Sequence, residues 1–292
     1  MKSSSSIALV VAFGLAPLSL SSQGGCAADT GSKRFAFEAL AGGSSEASGA
    51  PLTFENEKGW TVTLTKATVT LGPVYLNVVA PLTDQKTSLL DFLIRPAWAH
   101  GEAHLESGRI VGEVLSQVTF DALSPALVPF SSLGTITREE CRTAEVWLYP
   151  EPGISPNRTK IDTIAFDVAG TASRAGESVP FRGALVLDDT WVPDQVAGTR
   201  GAQTVASIRK VRGIPASFFP NEGGRLEIRF DVSRLFRGAN FENLADNPTD
   251  ADGRKVLVQS KGGRLTTDQV MQNLYQGMRE ANGTYAVRWA EP

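Results

Sequence analysis

Apolar and polar positions alternate along much of the chain after residue 60. Trp60, Val62 and Leu64, then Val69 and Leu71, interleave with Thr61, Thr63, Thr65, Thr68 and Thr70. A two-residue period rich in Thr and Val predicts a half-buried strand. Gly72-Pro73 bends the chain, and residues 74–79 read as the next strand. Residues 109–118, 144–148, 161–168, 179–187, 225–232 and 284–289 have the same character, each bounded by Gly, Pro, Asn or Asp. A helical period replaces it at residues 267–281, where Val270, Met271, Leu274, Tyr275 and Met278 recur at three- and four-residue spacing. Thr267 is the expected cap, and Asn282-Gly283 the expected left-handed end. Shorter helical pieces are expected at 88–94 and at 232–241, where Leu235, Phe236 and Phe241 would pack inward. The pattern predicts a mainly β chain: a β-sandwich with long loop insertions at 81–108 and 189–224 and one C-terminal amphipathic helix. The Pro- and Gly-rich passage 150–157 reads as a hairpin connection or sheet crossing, and is the place where the domain could divide.

The first 25 residues differ from everything after them. Lys2 precedes an apolar run at 7–20, interrupted by Gly14, Pro17 and Ser19. A membrane span needs roughly 20 apolar residues, so this run reads as a secretory signal. It ends in Leu20-Ser21-Ser22-Gln23-Gly24-Gly25-Cys26-Ala27. This resembles a bacterial lipoprotein processing site, with small residues before a cysteine that is lipidated and becomes residue one; Gln23 stands where that family prefers a leucine-like residue. The resemblance implies a membrane-anchored protein, lipid-bearing at Cys26. Its Ala27, in place of aspartate, implies passage to the outer membrane, on its periplasmic or cell-surface side. Triacylation would supply the several hydrophobic signals that stable anchoring needs. Two other cleavage points remain, after Ala28, or near Ser22, which would leave Cys26 free to pair with Cys141. Residues 26–50 are rich in Gly, Ser and Ala and read as a flexible tether, with 35–40 an apolar exception. The domain expected is then 51–292.

Charge is near balance, 28 basic against 31 acidic residues, so no nucleic-acid partner is implied. The chain has only two histidines, His100 and His104, with Trp98 just before them and Glu102 and Glu106 close by. Neutral imidazole suits zinc and copper, and nearby carboxylates can join or orient it. The arrangement around Trp98, His100 and His104 resembles that of periplasmic copper-binding proteins of the methanobactin-partner type. That resemblance implies an exported β-sandwich, copper as the cofactor, Trp98 oxidised to kynurenine, the two histidines as ligands, and a dihaem oxidase as redox partner.

Other chemistry is thinner. Asp246-Asn247-Pro248-Thr249-Asp250-Ala251-Asp252-Gly253 is an acidic loop with part of a calcium-loop pattern, but Pro248 stands at the first ligand position and no Glu at the twelfth, so it reads as a solvated turn. No G-x-S-x-G elbow is present, and the chain does not read as an enzyme. Met271 and Met278 belong to the helix's apolar face. Trp60, Trp147 and Trp289 fall on strand patterns, which leaves Trp98 and Trp191 for sugar stacking. The alternative function is a non-enzymatic envelope domain that binds protein or carbohydrate.

Overall fold

The computed structural model describes residues 33–79, 109–148, 164–187, 210–259 and 268–292. The strands are β1 (Arg34–Gly43), β2 (Leu52–Glu55), β3 (Thr61–Leu71), β4 (Val74–Asn77), β5 (Ile110–Val114), β6 (Val118–Asp121), β7 (Val128–Pro129), β8 (Gly134–Thr137), β9 (Cys141–Trp147), β10 (Ile164–Arg174), β11 (Glu177–Val186), β12 (Lys210–Phe218), β13 (Arg225–Phe230), β14 (Lys255–Val256) and β15 (Tyr285–Ala290). One helix, α1 (Gln269–Arg279), lies near the C-terminus. The mainly β character and the C-terminal helix match the sequence pattern.

Among the described residues the strands form two sheets. The larger has nine strands in the order β12-β9-β4-β5-β8-β1-β13-β15, with β7 beside β1. Its outer members β12 and β15 approach each other, so the sheet is nearly closed and barrel-like. The smaller, open sheet runs β14-β11-β10-β3-β2, with β6 beside β3. The architecture is therefore not two flat layers: one sheet curls on itself and the other stays open. The core contains Trp60, Leu64, Phe166, Phe181, Phe230, Phe236 and Phe241, each under 2% exposed. The 3₁₀ turns Val232–Phe236 and Phe241–Leu244 contribute Phe236 and Phe241, whose rings contact Phe181 at 5.9 and 5.0 Å.

Several elements depart from the expected pattern for identifiable reasons. The stretch 109–118 is not one strand: β5 ends at Val114, and Val118 begins β6 in the other sheet, since β5 pairs β4 and β6 pairs β3. β1 lies inside the stretch read as a tether. Its Gly and Ala content reflects crowding: a Cβ at Gly42 would meet the Ala126 carbonyl oxygen at 2.3 Å, and one at Gly43 the Ala122 oxygen at 2.3 Å. β12 lies inside the stretch 189–224 read as an insertion. It is an edge strand with two irregularities in its pairing to β9, and an edge tolerates its Pro215. The helix is capped by Asp268, not Thr267: the Asp268 carboxylate accepts from the Met271 N–H at 3.1 Å. Gly283 ends that region at φ +90°, as expected. The expected helix at 88–94 and the passage 150–157 lie outside the described residues.

Candidate functional site

Trp98, His100 and His104 lie outside the described residues, as do Cys26 and Trp191. The frame from which the histidine segment departs is described. β4 and β5 are antiparallel neighbours, with Asn77 opposite Ile110, and the Val78 N–H donates to the Arg109 carbonyl at 3.3 Å. The segment between Val79 and Arg109 is thus an insertion in a hairpin whose two stems are paired. The Thr143 hydroxyl of β9 also donates to the Val79 carbonyl at 3.0 Å.

The groups around those stems favour structure over metal binding. Cys141 is a free, fully buried thiol that donates to the Thr143 carbonyl at 3.5 Å. Burial pushes its pKa up to about 12, against smaller opposing backbone bonds from Asn77 and Thr143. A soft metal binds the thiolate, and at neutral pH Cys141 is a thiol. Glu139 is held by Arg109, with Nη1 to Oε1 at 3.0 Å, and Glu140 by Arg142 at 2.8 Å. Among the described residues no three His, Cys, Asp or Glu side chains converge on a point where they could hold an ion.

The outward face of β4 and β9 carries what the sequence pattern did not single out. Asn77, Glu145 and Trp147 are each 5% exposed or less. Asn77 Oδ1 and Trp147 Nε1 are buried without a hydrogen-bond partner, and Glu145 Oε2 is ion-paired with Arg212 Nε at 3.5 Å. Lys210 reaches the other Glu145 oxygen at 3.0 Å, and its ammonium stands 5.2 Å from the centre of the Trp147 ring. Buried polar atoms of this kind are few in folded proteins. Alternation places Asn77, Thr143, Glu145 and Trp147 opposite the core-facing Leu76, Ala144 and Val146. Nothing in the alternation shows that this second face is also buried.

The remaining sequence candidates resolve into structure. The Asp250 carboxylate accepts from Arg254 Nε at 3.0 Å and from the backbone N–H groups of Asp252 and Arg254 at 3.0 and 2.9 Å, with Arg182 Nε in an ion pair at 2.5 Å. Burial alone would raise its pKa, but these bonds outweigh it and lower it. Asp252 is paired with Arg254. Two guanidiniums therefore stand where a calcium ion would need room, and the turn reading holds. Met271 and Met278 are in the core, at 2% and 0% exposure. Trp60 is fully buried, its indole N–H donating to Asn240 at 3.1 Å. Trp289 packs among Phe35, Phe37 and Phe218.

No family model matches the chain, and no curated protein matches it. Among solved structures it is similar to MbnP from Methylosinus trichosporium, with 9% of residues identical, 88% of this chain and 99% of that one covered, and a TM-score of 0.37. At this distance the likeness assigns no residue a role.

Proposed function

We propose that this chain is an exported, envelope-anchored lipoprotein that binds a transition metal, copper ahead of zinc, through Trp98, His100 and His104. The observation that carries the reading is the placement of both histidines of the chain within five residues of each other, beside Trp98, in one insertion between two directly paired strands. Paired stems restrict where the two ends of such a segment can go, and long loops in compact domains are often functional. Imidazole nitrogens are suited to Cu and Zn, and thioether or thiolate sulfur would favour Cu(I) further. Met271, Met278 and Cys141 are held in the core, so the ligands assigned to the ion are the two histidines. Cys26 carries the lipid in this reading, and a redox protein is the partner. No reaction is assigned to the chain itself.

The test is metal titration of the purified full-length protein together with its intact mass. Copper uptake at one equivalent is expected, lost in His100→Ala and in His104→Ala, with added oxygen at Trp98 and acylation at Cys26. An unmodified Trp98 in a protein that takes up neither copper nor zinc overturns the metal reading.

A further inference from the structure

β11 lies at one side of the smaller sheet, between β10 and the short β14. β14 pairs with it at two positions, Phe181 with Lys255 and Arg182 with Val256. The Arg182 carbonyl turns outward and accepts from the Leu257 N–H at 2.8 Å. Successive residues of a strand turn their N–H and C=O groups to opposite sides, so Ser178, Pro180, Ala184 and Val186 face outward as Arg182 does.

This outward side is guarded in two ways along its length. Its first half carries Glu177, Pro180 and Arg182. Charge discourages pairing at an edge, and Pro180 has no N–H to offer. The second half, Gly183-Ala184-Leu185-Val186-Leu187, has neither charge nor proline. Apolar, uncharged, proline-free runs of this kind pair readily with copies of themselves.

The second half is where the chain after β14 crosses. Leu257 packs on Gly183, where a Cβ would meet the Leu257 Cβ at 2.5 Å. The Val258 N–H is held by the Asp268 carboxylate at 2.8 Å, the same group that caps α1. The next contact with β11 comes from a side chain. Gln259 Oε1 accepts from the Val186 N–H at 2.7 Å, and Gln259 Nε2 donates to the Val186 carbonyl at 2.6 Å. A carboxamide has one donor side and one acceptor side, as a peptide group has. Gln259 therefore gives Val186 both bonds that a facing residue of an antiparallel strand would give.

We infer that Gln259 is an edge cap: its carboxamide closes the outward side of β11 at Val186 and keeps the 183–187 run from pairing with a second copy of this chain. The run is its own complement, since an antiparallel copy of an uncharged strand meets no like charge. The cap is independent of the readings of His100, His104 and Cys26.

The experiment uses the full-length chain with Cys26→Ser, so that no acyl chain drives association. Gln259→Ala and Gln259→Glu are compared with this parent by hydrogen exchange at Val186 and by sedimentation over a range of concentrations, with folding checked by near-ultraviolet circular dichroism. In dilute Gln259→Ala the Val186 amide should exchange about tenfold faster than in the parent. The same variant should self-associate at about tenfold lower concentration, and its Val186 amide should be protected again in the associated form. Gln259→Glu sets a charge on the edge and should associate no more than the parent. Unchanged exchange at Val186 in Gln259→Ala, association equal to the parent's, or association that leaves Val186 unprotected each overturns the inference. Rapid exchange of the Val186 amide in the parent overturns it without any variant.

Discussion

Asn56 and Asn77 are both buried asparagines, 7% and 3% exposed, and their hydrogen-bond accounts are opposite. The Asn56 amide donates to the carbonyls of Phe236 at 3.1 Å and Ala239 at 2.8 Å, and its oxygen accepts from the N–H groups of Lys58 and Trp60, both at 3.0 Å. It ties the turn before β3 to the 3₁₀ segment that closes the core. Several neighbouring polar groups are also bonded: Asp268 accepts from Met271, Val258 and Asn247, Thr284 donates to Gly277, and Tyr285 to Met278. Asn77, at the end of β4, leaves Oδ1 without a hydrogen-bond partner, as does the Trp147 N–H on the same face. A satisfied network specifies a fold, while orphaned buried atoms cost stability and mark where a fold has been left open. The helix-and-turn corner is thus the more fully tied region, although Asn273 Nδ2 on α1 is also buried without a hydrogen-bond partner. The β4–β9 face, from which the histidine insertion leaves, is the less settled one.

The largest effect expected from this contrast is at Asn56. Asn56→Ala removes four hydrogen bonds and leaves the Ala239 carbonyl and the Trp60 N–H unsatisfied in the core, while the Phe236 carbonyl still accepts from the Ala239 N–H at 3.0 Å. It should lower the unfolding free energy by about 3–4 kcal/mol, read from denaturant titration. A loss below about 1 kcal/mol would mean that the corner is no better tied than the sheet face.

A smaller effect is expected at Glu227, which is 1% exposed and accepts from Arg225 Nε at 2.9 Å and Arg288 Nε at 2.8 Å. Burial would raise its pKa, but the bonds from Arg288 and Arg225 outweigh burial and hold it below the usual glutamate value. A lowered folded-state pKa stabilises the protein above the unfolded value of about 4.3, and that contribution is lost as pH falls through the folded value. Both arginines are half or more exposed, so solvent screening limits the gain. Glu227→Gln should cost about 1–2 kcal/mol at neutral pH, and variant and parent should converge as the pH is lowered past 4. A difference that persists in acid would assign the loss to packing instead of charge.

How far these regions were legible in the sequence follows from what each signal measures. The apolar positions of β3 fall on even numbers at Trp60, Val62 and Leu64 and on odd numbers at Ala67, Val69 and Leu71. That phase change is the mark of one extra residue. The register steps from Lys66 opposite Ala169 to Leu64 opposite Gly170, which leaves Thr65 as the bulge. Core-facing periodicity also found α1 and the buried Leu235, Phe236 and Phe241. It failed where small residues serve close packing, as in β1, and where an edge strand carries Gly213 and Pro215, as in β12, because composition alone reads both as loop. Alternation separates the two faces of β4 and β9 but says nothing of whether the second is covered, so Glu145 and Trp147 passed as ordinary strand positions. Trp98, His100 and His104 rest on residue type and spacing, which name a chemistry without fixing a geometry.

The smallest expected effect is also the sharpest test of the comparison. Asn77→Leu replaces a buried amide with an apolar side chain of similar size. If the Oδ1 atom contributes nothing to the fold, the substitution removes an unpaired acceptor and should leave stability within about 1 kcal/mol of the parent, on either side of zero. This is the opposite of the outcome at Asn56, from the same residue type at similar burial. Burial is similar at the two sites, and Asn56→Leu made beside Asn77→Leu keeps side-chain volume constant as well, so that the difference between those two variants measures the hydrogen bonds. A loss at Asn77 as large as that at Asn56 would show that its oxygen has a partner in solution, and the β4–β9 face would then be as fully tied as the corner.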